Sequence, residues 1–123
     1  MPTSFPYSRK YAPPAPVANV ILRAKSEFNT VALLDSGADG TMIPHPLLLR
    51  IGSKFARTYQ MTGVTGQTER VELYFVDIEI GGLKIPGIKA VSSQFSNEVI
   101  LGRDVLNHLI ITLNGIESRT EIS

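Results

Sequence analysis

Apolar residues along the chain come in short runs separated by glycine, proline and small polar clusters, a punctuation that predicts strands and hairpins. Val17 to Ala24 alternates loosely and predicts a first strand, with Ser26 to Asn29 as its turn and Thr30 to Leu34 as the strand that returns. Thr41-Met42-Ile43 is apolar enough for another short strand. Pro44 and Pro46 interrupt it before Leu47 to Ile51 rejoins the core. Tyr59 to Ile80 has the length and alternation of a long hairpin, and the glycines of Gly63-Val64-Thr65-Gly66 permit positive dihedrals at its tip. Gly81-Gly82 turns the chain into Leu83 to Ile88, and Lys89 to Ser92 continues the meander.

Val99-Ile100-Leu101 is a short continuous apolar run, expected of a strand buried on both faces. Gly102-Arg103 turns it, Asp104 is placed to cap a short helix through His108, and Ile110 to Leu113 is the last strand. These elements predict an all-β domain over residues 17–115 with one short C-terminal helix. Residues 1–16, with five prolines among small and polar residues, read as an extended arm, and residues 116–123 as a polar tail.

Composition narrows the function classes. The chain has 123 residues, enough for one domain with a modest core. It has no cysteine, which excludes disulfide support and thiol catalysis, and with only two histidines a structural zinc site is not expected. A net charge of +1, with no basic block interleaved with aromatics, gives no argument for a nucleic-acid partner. Neither a signal peptide nor a run of about 18 apolar residues is present, so a cytoplasmic protein without a membrane partner is the expectation.

The candidate chemistry lies in Val31-Ala32-Leu33-Leu34-Asp35-Ser36-Gly37-Ala38-Asp39-Gly40-Thr41. An apolar strand delivers a carboxylate into a turn, where burial is costly unless that carboxylate is paired, hydrogen-bonded or protonated. An Asp-Ser-Gly triplet by itself is also what an ordinary turn looks like, its aspartate bonding nearby N–H groups. Two other candidates stay unassigned: His45, expected in an exposed loop between two prolines and without a second ligand nearby, and Asp77 with Glu79, alternate residues suited to a solvated strand face.

Two spaced motifs change the weight of the triplet. Leu33-Leu34-Asp35-Ser36-Gly37-Ala38-Asp39, followed far downstream by Val99-Ile100-Leu101-Gly102-Arg103-Asp104, resembles the retropepsin-like aspartic proteases in motif, order and separation over roughly residues 18 to 115. The resemblance implies a closed β-barrel acid-protease lobe, a homodimer that cuts peptide substrates, and no cofactor or metal. It implies Asp35, Ser36 and Gly37 as catalytic residues, with Ser36 locking the two active-site loops across the dimer axis. It further implies Ala38 and Asp39 along the substrate, Arg103 as the support that pairs with Asp39, and Gly63, Val64, Thr65 and Gly66 as the tip of a flap over the substrate. From local sequence alone Gly63 to Gly66 reads as an ordinary hairpin turn, and its position between the two motifs is what favours the flap.

The chain holds one Asp-Ser-Gly, so chemistry that needs two such carboxylates must take the second from another copy. Two carboxylates at about 3 Å share a proton, so that one acts as base on water while the other acts as acid on the peptide carbonyl. Two other functions remain open: a catalytically silent peptide-binding or dimerising module on the same fold, and a metal-dependent hydrolase built on Asp35 and Asp39. Gly40 stands where viral relatives often carry an acid, so their substrate preferences do not carry over directly.

Overall fold

Alternation decides which strands close on each other. In a computed structural model describing residues 2–123, the elements are β1 (Thr3–Pro6), β2 (Val17–Arg23), β3 (Glu27–Leu34), β4 (Met42–Pro44), α1 (His45–Arg50), β5 (Lys54–Thr62), β6 (Thr68–Ile80), β7 (Leu83–Ser93), β8 (Val99–Leu101), α2 (Arg103–Leu106), β9 (Ile111–Asn114) and β10 (Arg119–Ile122). Ala18, Val20 and Leu22 of β2 and Val76, Ile78 and Ile80 of β6 turn inward at every second position and are almost fully buried.

The larger sheet runs β2-β3-β8-β4-β7-β6-β5, and β2 also pairs with the far half of β6, from Val20 opposite Ile80 to Arg23 opposite Asp77. That pairing closes a barrel. β5 pairs with the other half of β6, Thr68 to Phe75, so the β5–β6 hairpin projects beyond the barrel wall. β8 lies between β3, to which it is parallel, and β4, to which it is antiparallel, and this brings the two sequence motifs side by side.

Pro86-Gly87 is one residue too many for the ladder: Val76 pairs with Ile88 but Ile78 with Ile85. The bulge keeps Ile85, Ile88 and Ala90 all on the core side, and Gly87 takes the positive φ of 70° that it demands. Its N–H donates to Asp77 Oδ1 at 2.9 Å, while Glu79 pairs with Arg23 at 2.7 Å, so each acid of the expected solvated face has a structural partner. Arg23 also pairs with Glu27, and its hydrogen bond to Glu79 holds that carboxyl below its ordinary value.

Three expectations are corrected. The arm and tail are not loose: β1 pairs with β10 and β10 with β9, and Phe5 and Ile122 reach the main core. Pro44 and Pro46 do not leave an irregular loop but start a helix, since proline in a first turn gives up no intrahelical bond, and Leu48 of α1 is fully buried. A second short helix thus joins the one expected. His45 is not an exposed loop residue: half-buried, it has Nδ1 2.8 Å from Ser92 Oγ and its ring set edge-on to Tyr74. Smaller shifts are that β3 already begins at Glu27 and that β5 starts at Lys54, five residues before the expected hairpin. No helix among the described residues is long and apolar enough to cross a membrane.

Candidate active site

β3 carries Asp35 to the end of the barrel and holds it there from both sides. Leu34 N–H donates to Pro16 O at 3.1 Å and Asp35 N–H to Leu101 O at 3.0 Å, so the strand is anchored by the arm and by β8 up to the residue that matters. The chain then turns tightly, with Ala38 N–H donating to Asp35 O at 3.1 Å and Gly37 N–H to Asp35 Oδ1 at 2.9 Å. The second bond is the ordinary aspartate-turn bond. It occupies one carboxylate oxygen, and Oδ2 has no partner among the described residues. A Cβ on Gly37 would sit 3.2 Å from Asp35 Oδ1, so glycine lets the carboxylate rest against the turn.

The second motif locks this turn from beneath. A Cβ on Gly102 would lie 2.6 Å from the Gly40 carbonyl carbon and 2.9 Å from Ala38 O, distances only glycine permits. Arg103 N–H donates to Ala38 O at 2.9 Å, its guanidinium donates to Ser36 O at 2.7 Å, and the same guanidinium pairs with Asp39. The Arg103 and Asp39 side chains are 43% and 89% exposed, so the ion pair itself contributes little to stability. Its effect is geometric, because Arg103 ties Ser36, Ala38 and Asp39 together.

Asp104 was expected to cap α2, but Gly102 holds the N-cap position and the Asp104 carboxylate turns to Thr41. Thr41 is fully buried; its N–H donates to Asp104 Oδ2 at 3.1 Å and its hydroxyl to Oδ1 at 2.8 Å, while that hydroxyl accepts from Gly102 N–H at 3.2 Å. The pairing of these two residues escaped the sequence reading. The available signal was a threonine at the end of a polar turn that alternation places inward, with a carboxylate two residues after the glycine it must meet.

Gly63 to Gly66 form the hairpin tip, closed by Gly63 N–H to Gln67 O at 2.9 Å and Gly66 N–H to Gly63 O at 3.0 Å, with Gly66 at φ 81°. Gly63 and Thr65 line a cleft of about 760 Å³ together with Met42, Met61, Val91 and Phe95. Val64 does not line it and is fully exposed. A second cleft, of about 610 Å³, is lined by Asp39 and Gly40. Asp35, Ser36, Gly37 and Ala38 line neither cleft. The structure therefore gathers Asp35 to Asp39 and Arg103 into one hydrogen-bonded turn and sets the hairpin tip in the wall of the larger cleft.

The arm is also fastened at the other end of β8. Tyr11 donates its hydroxyl to Glu98, just before β8, and that bond, with some burial, raises the phenol to about 12. No group of three or more histidine, cysteine or acidic side chains that could hold a metal ion occurs among the described residues.

A family profile described as "gag-polyprotein putative aspartyl protease" matches residues 25–108. A search of curated proteins by sequence finds no match. Among solved structures, a retropepsin-like aspartic protease from Rickettsia conorii is similar in fold at 10% identity and a TM-score of 0.68, covering 99% of this chain and 90% of that one. The matched profile spans both motifs, the turn they build and the hairpin between them, and the chain belongs to the retropepsin-like aspartyl protease family.

Proposed function

We propose that the protein is a homodimeric aspartic endopeptidase in which the Asp35 side chains of two copies meet around one water. The observation that carries this reading is the Asp35 turn itself. Every neighbour is fastened, by Gly37 N–H, Arg103 and the Thr41–Asp104 latch, while Oδ2 is left without a partner among the described residues. A carboxylate presented on a rigid, glycine-lined turn at the end of a strand is organised for chemistry, because it need not reorganise when the substrate arrives.

Two such carboxylates about 3 Å apart share one proton. The ionised one takes a proton from the water as its oxygen attacks the peptide carbonyl carbon, and the protonated one donates to the carbonyl oxygen. Collapse of the resulting tetrahedral diol breaks the C–N bond. The proton gained from water passes to the leaving nitrogen while one diol hydroxyl gives its proton to the other carboxylate as the product carbonyl forms, and the dyad returns to its singly protonated starting state. Ser36 would hold the two turns together across the two-fold axis, and Ala38 and Asp39 would meet the peptide backbone. The β5–β6 hairpin would act as the flap, gripping an extended peptide through tip N–H groups. Two-fold symmetry also accounts for clefts that stop short of Asp35, since the partner would complete them.

Digestion of a peptide library by wild type and Asp35→Asn, with and without a transition-state mimic of the pepstatin class, tests this reading. Wild type is expected to cleave, with specific activity falling on dilution through the dimer dissociation constant, and Asp35→Asn to be inactive while still folded. Cleavage that survives Asp35→Asn overturns the proposal. Peptide binding without cleavage by the wild type would leave the silent module as the function.

A further inference from the structure

The cleft beside Asp39 and Gly40 carries a charge pattern that the proposed chemistry does not use. Its floor is a cross-strand row, with Arg57 of β5 opposite Leu73 of β6 and Leu73 opposite Val91 of β7. Side chains alternate between the two faces of a strand, so Tyr59 stands on the face of Arg57, and Lys89 on the face of Val91. All five line the cleft. Leu73 and Val91 are buried, giving an apolar bottom, and a cation stands on each of the two strands that flank Leu73.

The carboxylates in this lining are already engaged. Asp39 pairs with Arg103, and both oxygens of Asp104 accept from Thr41. Arg57 lies 5.4 Å from the Tyr59 ring centre and Lys89 6.0 Å from that of Phe75, and neither has an acidic partner among the described residues. In both residues it is the charged head that lies over the ring; both side chains are exposed, and a ring leaves a cation's charge unneutralised, so each can meet an incoming carboxylate. The larger cleft differs, since its charged lining is Glu69, Arg70 and Glu72.

We infer that the cleft formed by Arg57, Lys89, Leu73 and Val91 receives an acidic side chain of the bound peptide. The preferred substrate is then a segment with Asp or Glu at the position that falls beside Asp39 and Gly40. This inference rests on the groove being a peptide-binding groove. Leu73 and Val91 would take the methylenes of the incoming side chain, and Arg57 and Lys89 its carboxylate.

The test uses the full chain and peptides differing only in Glu, Gln or Lys at one scanned position. At one position the Glu peptide is expected to be cleaved roughly threefold to tenfold faster than the Gln peptide in kcat/KM, the range of one or two exposed ion pairs. That ratio should fall to about one in Arg57→Gln/Lys89→Gln, and Lys89→Glu should favour the Lys peptide. Glu-to-Gln ratios near one at every position, or a ratio that survives the double substitution, overturn the inference while leaving proteolysis intact. In parallel, the same peptides carrying a fluorophore are titrated against Asp35→Asn. A Glu preference in binding there, with no cleavage by wild type, would uphold the acidic cleft and overturn the protease reading. Absence of both cleavage and a Glu preference in binding overturns both.

Discussion

Replacing Thr41 by valine keeps the shape of the side chain and deletes its hydroxyl, which makes it the sharpest probe of the latch beneath the Asp35 turn. The hydroxyl of this fully buried residue serves Asp104 Oδ1 at 2.8 Å and Gly102 N–H at 3.2 Å. Thr41→Val removes a hydrogen bond to a charged acceptor, worth about 1.5–3 kcal/mol, and leaves a buried N–H unpaired at a cost of about 1–3 kcal/mol. Asp104 is half-buried and keeps the bond from Thr41 N–H, so the lower half of each range applies, and the expected loss is about 3 kcal/mol. For a domain of this size that lowers Tm by roughly 10–15 °C.

The assay is urea unfolding at one fixed protein concentration, so that any dimer contribution is held constant. Thr41→Ser, which keeps the hydroxyl and loses a methyl, is the control and is expected to cost no more than about 1.5 kcal/mol. If Thr41→Val lies within about 1 kcal/mol of wild type, or if serine proves as damaging as valine, the latch is packing rather than hydrogen bonding and the reasoning fails.

Gly102→Ala drives a Cβ to 2.6 Å from the Gly40 carbonyl carbon; it should cost about 1–3 kcal/mol and reduce cleavage by more than the stability loss explains, measured at matched folded fractions. Ile122→Ala, in the segment that sequence alone reads as tail, should cost about 2–5 kcal/mol in thermal or urea unfolding, whereas a true tail residue would cost nothing measurable. Tyr11 is held protonated in the folded chain up to about 12, above its ordinary value of 10. Its contribution is therefore complete below pH 10 and is lost as pH rises toward 12, and Tyr11→Phe should flatten the fall in stability over that window.

The barrel and the Asp35 turn were legible because their signals are local or repeated. Val31 to Leu34 announces a strand, two glycines announce a tip, and two spaced motifs announce each other across sixty-odd residues. What escaped detection depends on partners distant in sequence. β10 has four residues with only Thr120 and Ile122 inward, too short a pattern to stand above noise, and β1 is masked by prolines, one just before it and one as its last residue, which an edge strand tolerates. Asp104 has the local look of a helix cap, and the competing claim of Thr41 becomes visible only when β8 is laid between β3 and β4.

The same distinction explains why the turn needs so many restraints. Asp35 Oδ1 could be satisfied by the turn alone, as an ordinary aspartate would be. The further bonds from Arg103, Gly102 and Asp104 do nothing for that oxygen; they fix the backbone from Ser36 to Thr41 on which it rides. A fold seeking only stability would gain more by replacing this polar loop with apolar contacts. Keeping it therefore points to a demand on position. In the proposed dimer, two copies of one carboxylate would come to about 3 Å only if each were already held to a fraction of an ångström.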